Sequence, residues 1–291
     1  MASPAIAIAA LFTLAPFVAA AFFPGNLQRV AEVLPVRVRL FASIVLCLPY
    51  VVVASSTGTF RWSWFALYAL LPIAISALMW QARHVDAARN GNWRDYLVLA
   101  VMGLAVDLRW FERAWPPHLA VFNKMLLLDA GIYALLVLRQ FDGVGFDLRL
   151  RLRDVRVGLR EFIFYTPIAI TLGLTIGFLH LHASWPRLLQ LTGAFVFTFF
   201  FIAVPEELFF RGWLQNLLER RIGRYPALLL TAVLFGLSHW NKRALHFNWR
   251  YVLLAALAGI FYGRAWRQER RVGASAITHA TVDTIWSFWL R

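Results

Sequence analysis

Apolar positions along the 291 residues run in long blocks separated by short polar or basic stretches. Ten such blocks stand out: Ser3–Phe23, Leu40–Ser55, Trp62–Gln81, Tyr96–Trp110, His118–Leu138, Phe162–Leu181, Leu188–Phe210, Pro226–Trp240, Tyr251–Gly263 and Gly273–Leu290. Crossing about 30 Å of hydrocarbon takes roughly 20 helical residues. The pattern therefore predicts an all-α, polytopic membrane helix bundle of about eight to ten transmembrane helices. The fourth and ninth blocks are short, and the fourth holds Asp107. The first block ends in Ala19, Ala20 and Ala21, as a signal peptide would. It lacks a basic leading region, so a retained span is expected.

Composition agrees with this pattern. Hydrophobic residues make up 60% of the chain, mean hydropathy is +0.63 and only 15% of residues are charged. A soluble domain carries about 25% charged residues, so a soluble enzyme is excluded. The single cysteine, Cys47, rules out an intramolecular disulfide framework and a cysteine-based metal cluster.

The net charge of +14 would suit a nucleic-acid partner, but topology explains much of it. Take alternate connections as one side, beginning with the loops around Arg37 and Arg89. That side holds 19 arginines, and the other holds seven basic residues. Lys124, Arg211 and Arg291 fall outside the division. The positive-inside rule puts the 19 in the cytoplasm, and no nucleic acid is needed.

From Val144 to Val157 apolar residues alternate with polar ones: Phe146, Leu148, Leu150 and Leu152 against Arg149, Arg151 and Arg153. Period two predicts an extended, two-faced segment, either lying on anionic lipid or serving as a solvated linker. It marks the best boundary. Residues 1–140 form N-terminal membrane helices of unknown role, 141–160 a basic linker, and 161–291 the region carrying the candidate chemistry.

Ionisable side chains inside a span cost roughly 2.5–3.5 kcal/mol on insertion scales and tend to mark function. The first half has Asp107, Lys124 and Asp129; Lys124 and Asp129 are five apart and could face related directions, and a structural polar contact is the expected role rather than a site. The second half has Glu206, Glu207, Arg211, His239, His279 and Asp283. Helical neighbours diverge by about 100°, so Glu206 and Glu207 serve different purposes. Glu207 and Arg211 are i and i+4 in the favourable order for an ion pair, which lets both charges be buried. Glu206 then points elsewhere. Phe235 and His239 share a face, as do His279 and Asp283. Ser238 is rotated from His239, making a Ser–His dyad geometrically poor. At 1.5 Å per residue, Glu206 and His239 lie about 22 Å from the basic ends of their helices, and His279 and Asp283 about 12 and 18 Å from Arg271. All four can meet within the membrane. A carboxylate, two imidazoles and an Asp in a dry cavity are equipped to activate water and stabilise an oxyanion.

At these residues the chain resembles the type II CAAX prenyl endopeptidase family, also called the CPBP or Abi-like intramembrane proteases. The family's three motifs stand here as Glu206-Glu207-Leu208-Phe209-Phe210-Arg211, Phe235-Gly236-Leu237-Ser238-His239 and His279-Ala280-Thr281-Val282-Asp283. The resemblance covers about Phe162–Leu290. It implies a membrane-embedded endopeptidase in which Glu206 activates the attacking water with help from His279. His239 would donate to the oxyanion, and Asp283 would complete the polar shell. Glu207, Arg211 and Phe235 would be structural. Eukaryotic members act on prenylated CAAX proteins, and prokaryotic relatives are linked to processing peptides, bacteriocin immunity or surface-protein maturation. The substrate expected here is a membrane-associated peptide or protein in contact with the lipid bilayer.

Glu206, His239, His279 and Asp283 could also ligate zinc. No His-Glu-x-x-His helix is present, and a metal-free glutamate mechanism is favoured. Two other functions use the same residues: a proton- or ion-coupled transporter with a charge relay, or a non-catalytic membrane scaffold. The N-terminal half lacks a matching charge set, and all three motifs are intact. The arginine-rich composition and compact loops fit a bacterial inner-membrane protein.

Overall fold

Each of the ten apolar blocks is helical in the computed structural model, which describes residues 4–242 and 246–290. Ser3, Arg243 and Arg291 lie outside the described residues. Among the described residues there is no strand. The chain divides into two units, Met1–Asp142 and Gly143–Arg291.

The first unit contains α1 (Pro4–Phe22), α2 (Val36–Ser56), α3 (Trp62–Val85), α4 (Trp93–Asp107) and α5 (Val121–Leu138). Asn92 starts α4 by accepting from the Arg94 amide, and Asp95 answers by accepting from the Asn92 amide. Asp95 also holds a charge. Its two carboxylate oxygens receive Arg139 at 2.8 and 3.0 Å, and Asp86 takes the same guanidinium at 2.6 Å. Arg139 is fully buried, and this bidentate clamp ties the α3 and α5 ends to the start of α4. Lys124 and Asp129 face different ways. Five residues along a helix turn the side chain by about 140°, so Lys124 is exposed while Asp129 is buried.

The second unit begins with an extended strap, residues 143–151, followed by α6 (Leu152–Thr175), α7 (Leu188–Ile222), α8 (Arg224–Leu237), α9 (Trp249–Glu269) and α10 (Val272–Trp289). The strap alternates only over its first half: Val144, Phe146 and Leu148 are buried and Arg149 is exposed, but Leu150, expected on the apolar face, is exposed too. Its apolar face packs on the protein, with Val144 O accepting from the Trp266 indole at 3.0 Å. The extended run ends sooner than the arginine spacing suggests. Asp154 accepts from the Arg151 amide at 2.8 Å and caps α6, so Arg153 and Arg156 are helical.

Among the described residues, six helices are long and apolar enough to cross a membrane: α1, α2, α3, α5, α6 and α7. The chain is thus an integral membrane protein, and the count of eight to ten spans is not reached on this measure. The reason is physical. The α4 and α8 helices have only 15 and 14 residues. The α10 helix is long enough at 18 residues but polar, and Val272 to Ala280 are all buried. A helix that faces protein has no need of a lipid-compatible surface.

Short turns set the second unit's packing. The α7 helix passes into α8 through Gly223 alone, and α9 into α10 through Arg270 and Arg271. The α8 and α9 helices approach very closely at Gly236, where a Cβ would stand 2.5 Å from the Val252 carbonyl. On the other side, Thr278 of α10 donates to Gly158 O of α6 at 3.0 Å. These contacts fix α10, which bears His279, and α8, whose end leads into His239.

Candidate active site

The Glu206-Glu207 pair sits in a four-residue α-helical turn, Val204–Glu207, between two π-helical stretches of α7, Phe199–Ala203 and Leu208–Gln215. Such wide turns inside a helix recur at functional sites. The two carboxylates point apart. Glu207 is fully buried and its Oε1 accepts from Arg211 at 3.0 Å. The Glu206 side chain is 29% exposed and lines a cavity.

Arg211 is fully buried. Besides Glu207 it donates to Gly259 O at 3.1 Å, and its guanidinium lies over the rings of Phe235 and Tyr262, at 4.5 and 5.4 Å from their centroids. Aromatic faces, a carboxylate and a carbonyl together compensate a charge removed from water. Phe235 is the hub of these contacts, because its one ring touches Arg211, His239 at 4.9 Å and His279 at 5.7 Å.

His279 is held on both ring nitrogens and one face. Its Nδ1 lies 2.9 Å from Glu207 Oε1. Its Nε2 faces two carboxylates, Asp283 Oδ2 at 3.5 Å and Glu206 Oε2 at 3.9 Å. Tyr262 stacks on the ring at 4.6 Å. His239 is anchored differently. Its Nδ1 lies 2.8 Å from Phe235 O. A carbonyl only accepts, so Nδ1 carries a proton.

Ser238 stands closer to His239 than helical geometry predicts, with Oγ 3.2 Å from Nδ1. Both residues lie past the end of α8, where the 100° rotation rule no longer holds. The hydroxyl donates to Phe235 O at 2.8 Å, so His239 does not take its proton and no nucleophilic dyad is formed.

Glu206, His239, His279 and Asp283 line one cavity of about 270 Å³, together with Thr198, Ile202, Lys242, Tyr251, Trp286 and Ser287. A second, apolar cavity of about 70 Å³ adjoins it. His239, Tyr251, His279, Asp283 and Trp286 also line this one, and Tyr165, Ala169, Leu254, Ala258 and Val282 are among its apolar walls. The imidazoles thus stand between a polar chamber and a greasy one.

Sequence reasoning missed Tyr251, Tyr262, Trp286 and Lys242. Spacing could have found three of them. Tyr251 and Tyr262 are eleven residues apart, three helical turns and so on one face, and Trp286 is i+7 from His279. Lys242 lies in a turn, 4.0 Å from Glu206 Oε1, and no periodicity marks it.

Zinc needs ligand atoms about 2.0–2.2 Å from one point. Among the described residues, no three His, Cys, Asp or Glu side chains are grouped to hold a metal ion. The zinc set read from the sequence therefore gains no support, and the chemistry is derived from the side chains alone.

Residues 188–285 match the family model described as type II CAAX prenyl endopeptidase Rce1-like. The match covers about a third of the chain, contains all three motifs, and leaves the first unit outside. The likeness is to a family of membrane proteases, which are hydrolases. No curated protein and no solved structure matches the chain.

Proposed function

We propose that the second unit, with its Rce1-like segment at residues 188–285, is an intramembrane endopeptidase that hydrolyses a peptide bond with water activated by Glu206. The observation that carries this reading is the single cavity on which Glu206, His239, His279 and Asp283 converge while Glu207 stays fully buried beside Arg211.

In this reading a water enters the polar chamber against Glu206. The carboxylate takes one proton as the oxygen attacks the scissile carbonyl. His279 faces Glu206 and Asp283 through Nε2 and relays the proton to the leaving amine. Glu207, itself neutralised by Arg211, fixes the ring from the other side. His239 donates to the oxyanion. Its Nδ1–H is committed to Phe235 O, so it can donate from Nε2 only when doubly protonated. The adjoining apolar cavity supports a substrate with an apolar side chain or acyl group beside the scissile bond, as in a membrane-embedded peptide.

Span number belongs to the same proposal. If α4, α8, α9 and α10 cross alongside the six long apolar helices, the chain has ten spans, with buried polar helices shielded by apolar ones.

The test is a survey of small membrane proteins co-expressed with the wild type or with Glu206→Ala. New peptide termini that appear only with the wild type are expected. Solute flux in proteoliposomes with no proteolysis would favour a transporter instead.

A further inference from the structure

The second unit has two chemically distinct ends. One is tied together by an ion-pair network. Arg271, just before α10, meets Asp154 of α6 and Asp147 of the strap at 2.9 and 3.2 Å. Arg270, after α9, meets Glu219 of α7 at 2.6 Å, and Arg153 meets Glu269 at 2.6 Å. This end gathers the start of α6, the end of α7, the end of α9 and the start of α10. Twelve of the unit's arginines lie here, between 149 and 160, 220 and 224, and 264 and 271.

The other end carries aromatic rings. Trp185 is 96% exposed, and Trp240 and Trp249 are also exposed. Trp289 binds the loop before α7 through two hydrogen bonds, its indole to Ser184 O and its carbonyl from the His182 amide, both at 2.9 Å. Against those twelve, the sequence places four basic residues, Arg187, Lys242, Arg243 and Arg250, in or beside the connections at this end. A dense basic end marks the cytoplasm, and exposed tryptophans mark an interface. The α10 helix joins the two ends over about 27 Å, close to the hydrocarbon thickness of about 30 Å.

The cavity lies toward the aromatic end. Along α10, Asp283 is about 18 Å from Arg271 and only about 9 Å from Trp289, and Ser287 is farther out still. Lys242, Tyr251, Trp286 and Ser287 line it at that end, and the Lys242 and Asp283 side chains are 37% and 30% exposed. We propose that the site opens to the extracytoplasmic face and acts on polypeptide presented from that side, such as the membrane-proximal segment of an exported, membrane-anchored protein. A protein displayed only on the cytoplasmic face would meet the closed, arginine-clamped end. The substrate class rests on the protease reading; the direction of opening does not.

The test uses the full chain with Cys47→Ser and single cysteines read with a membrane-impermeant maleimide on intact cells and on inverted vesicles. Arg153→Cys reports the basic end, Trp185→Cys the aromatic end, and Ser287→Cys and Thr198→Cys the cavity. Trp185→Cys and both cavity cysteines are expected to react in intact cells, and Arg153→Cys only in inverted vesicles. Cavity cysteines that react together with Arg153→Cys, or from neither face, would overturn the proposal. So would Trp185→Cys reacting only in inverted vesicles. Absence of proteolysis with the expected labelling would sink the protease reading alone.

Discussion

Glu207 Oε1 lies 2.9 Å from His279 Nδ1 and 3.0 Å from Arg211 Nη1, so one buried oxygen joins the ion pair to the site imidazole. The i,i+4 pair expected from the sequence is therefore more than a neutralising device. It is the mount on which His279 sits.

Breaking that mount has two consequences. Arg211→Met leaves Glu207 buried without its cation, a change that costs about 3–5 kcal/mol for buried pairs. Thermal unfolding in detergent is expected to show this loss, and cleavage is expected to fall with it. Glu207→Gln keeps an acceptor for His279 and is expected to be milder than Glu207→Ala in both measurements. Equal activity in all three variants would show that His279 needs no such support.

His239 and Ser238 should behave very differently despite being neighbours. If His239 donates to the oxyanion, His239→Ala is expected to lower kcat by about 10²–10³, the range for losing one such donor. Ser238→Ala removes one neutral hydrogen bond to Phe235 O, worth about 1 kcal/mol of stability, and should leave kcat near the wild-type value. A dead Ser238→Ala enzyme that still folds would reinstate a serine nucleophile.

The strap gives a pH prediction outside the membrane. Arg149 first, then Arg271, hold the Asp147 carboxyl well below its usual range, against the opposing effect of its partial burial. A carboxyl depressed in the folded state contributes stability above its unfolded value of about 3.9. That contribution is lost as the pH falls below it. Asp147→Asn is therefore expected to melt lower than the wild type at neutral pH, with the difference shrinking at acid pH. In the same strap Gly145 has φ +73°, and a Cβ there would lie 1.9 Å from Arg270 O. Gly145→Ala is expected to detach the strap, seen as faster proteolytic nicking near Arg149.

Chelation addresses the metal question. With no three ligating side chains grouped for an ion among the described residues, cleavage is expected to persist after dialysis against a strong chelator. Loss of activity that added zinc restores would contradict the glutamate mechanism.

Much of this was legible in the residues because a membrane imposes a simple code. Apolar blocks gave helices wherever they occurred, including Pro226–Trp240 and Tyr251–Gly263, which are short for a span. The divergence of Glu206 from Glu207 follows from helical rotation alone. Tertiary partners were not legible. The Glu207–His279 bond joins residues 72 apart in the chain, and the Tyr262 stack comes from a helix without any of the three motifs. Ser238 escaped helical reasoning because it lies beyond the helix end, and the strap ended early because Asp154 caps α6, a local bond that outweighs the alternating pattern.

The central claim is that Glu206 activates water for peptide hydrolysis. It is tested most directly by purified protein in nanodiscs with a co-purified membrane substrate, comparing the wild type with Glu206→Gln by mass spectrometry. The substitution keeps size and removes the base. The account predicts equal thermal stability and a drop in cleavage rate of about 10²–10⁴. Undiminished cleavage by a folded Glu206→Gln protein would contradict it.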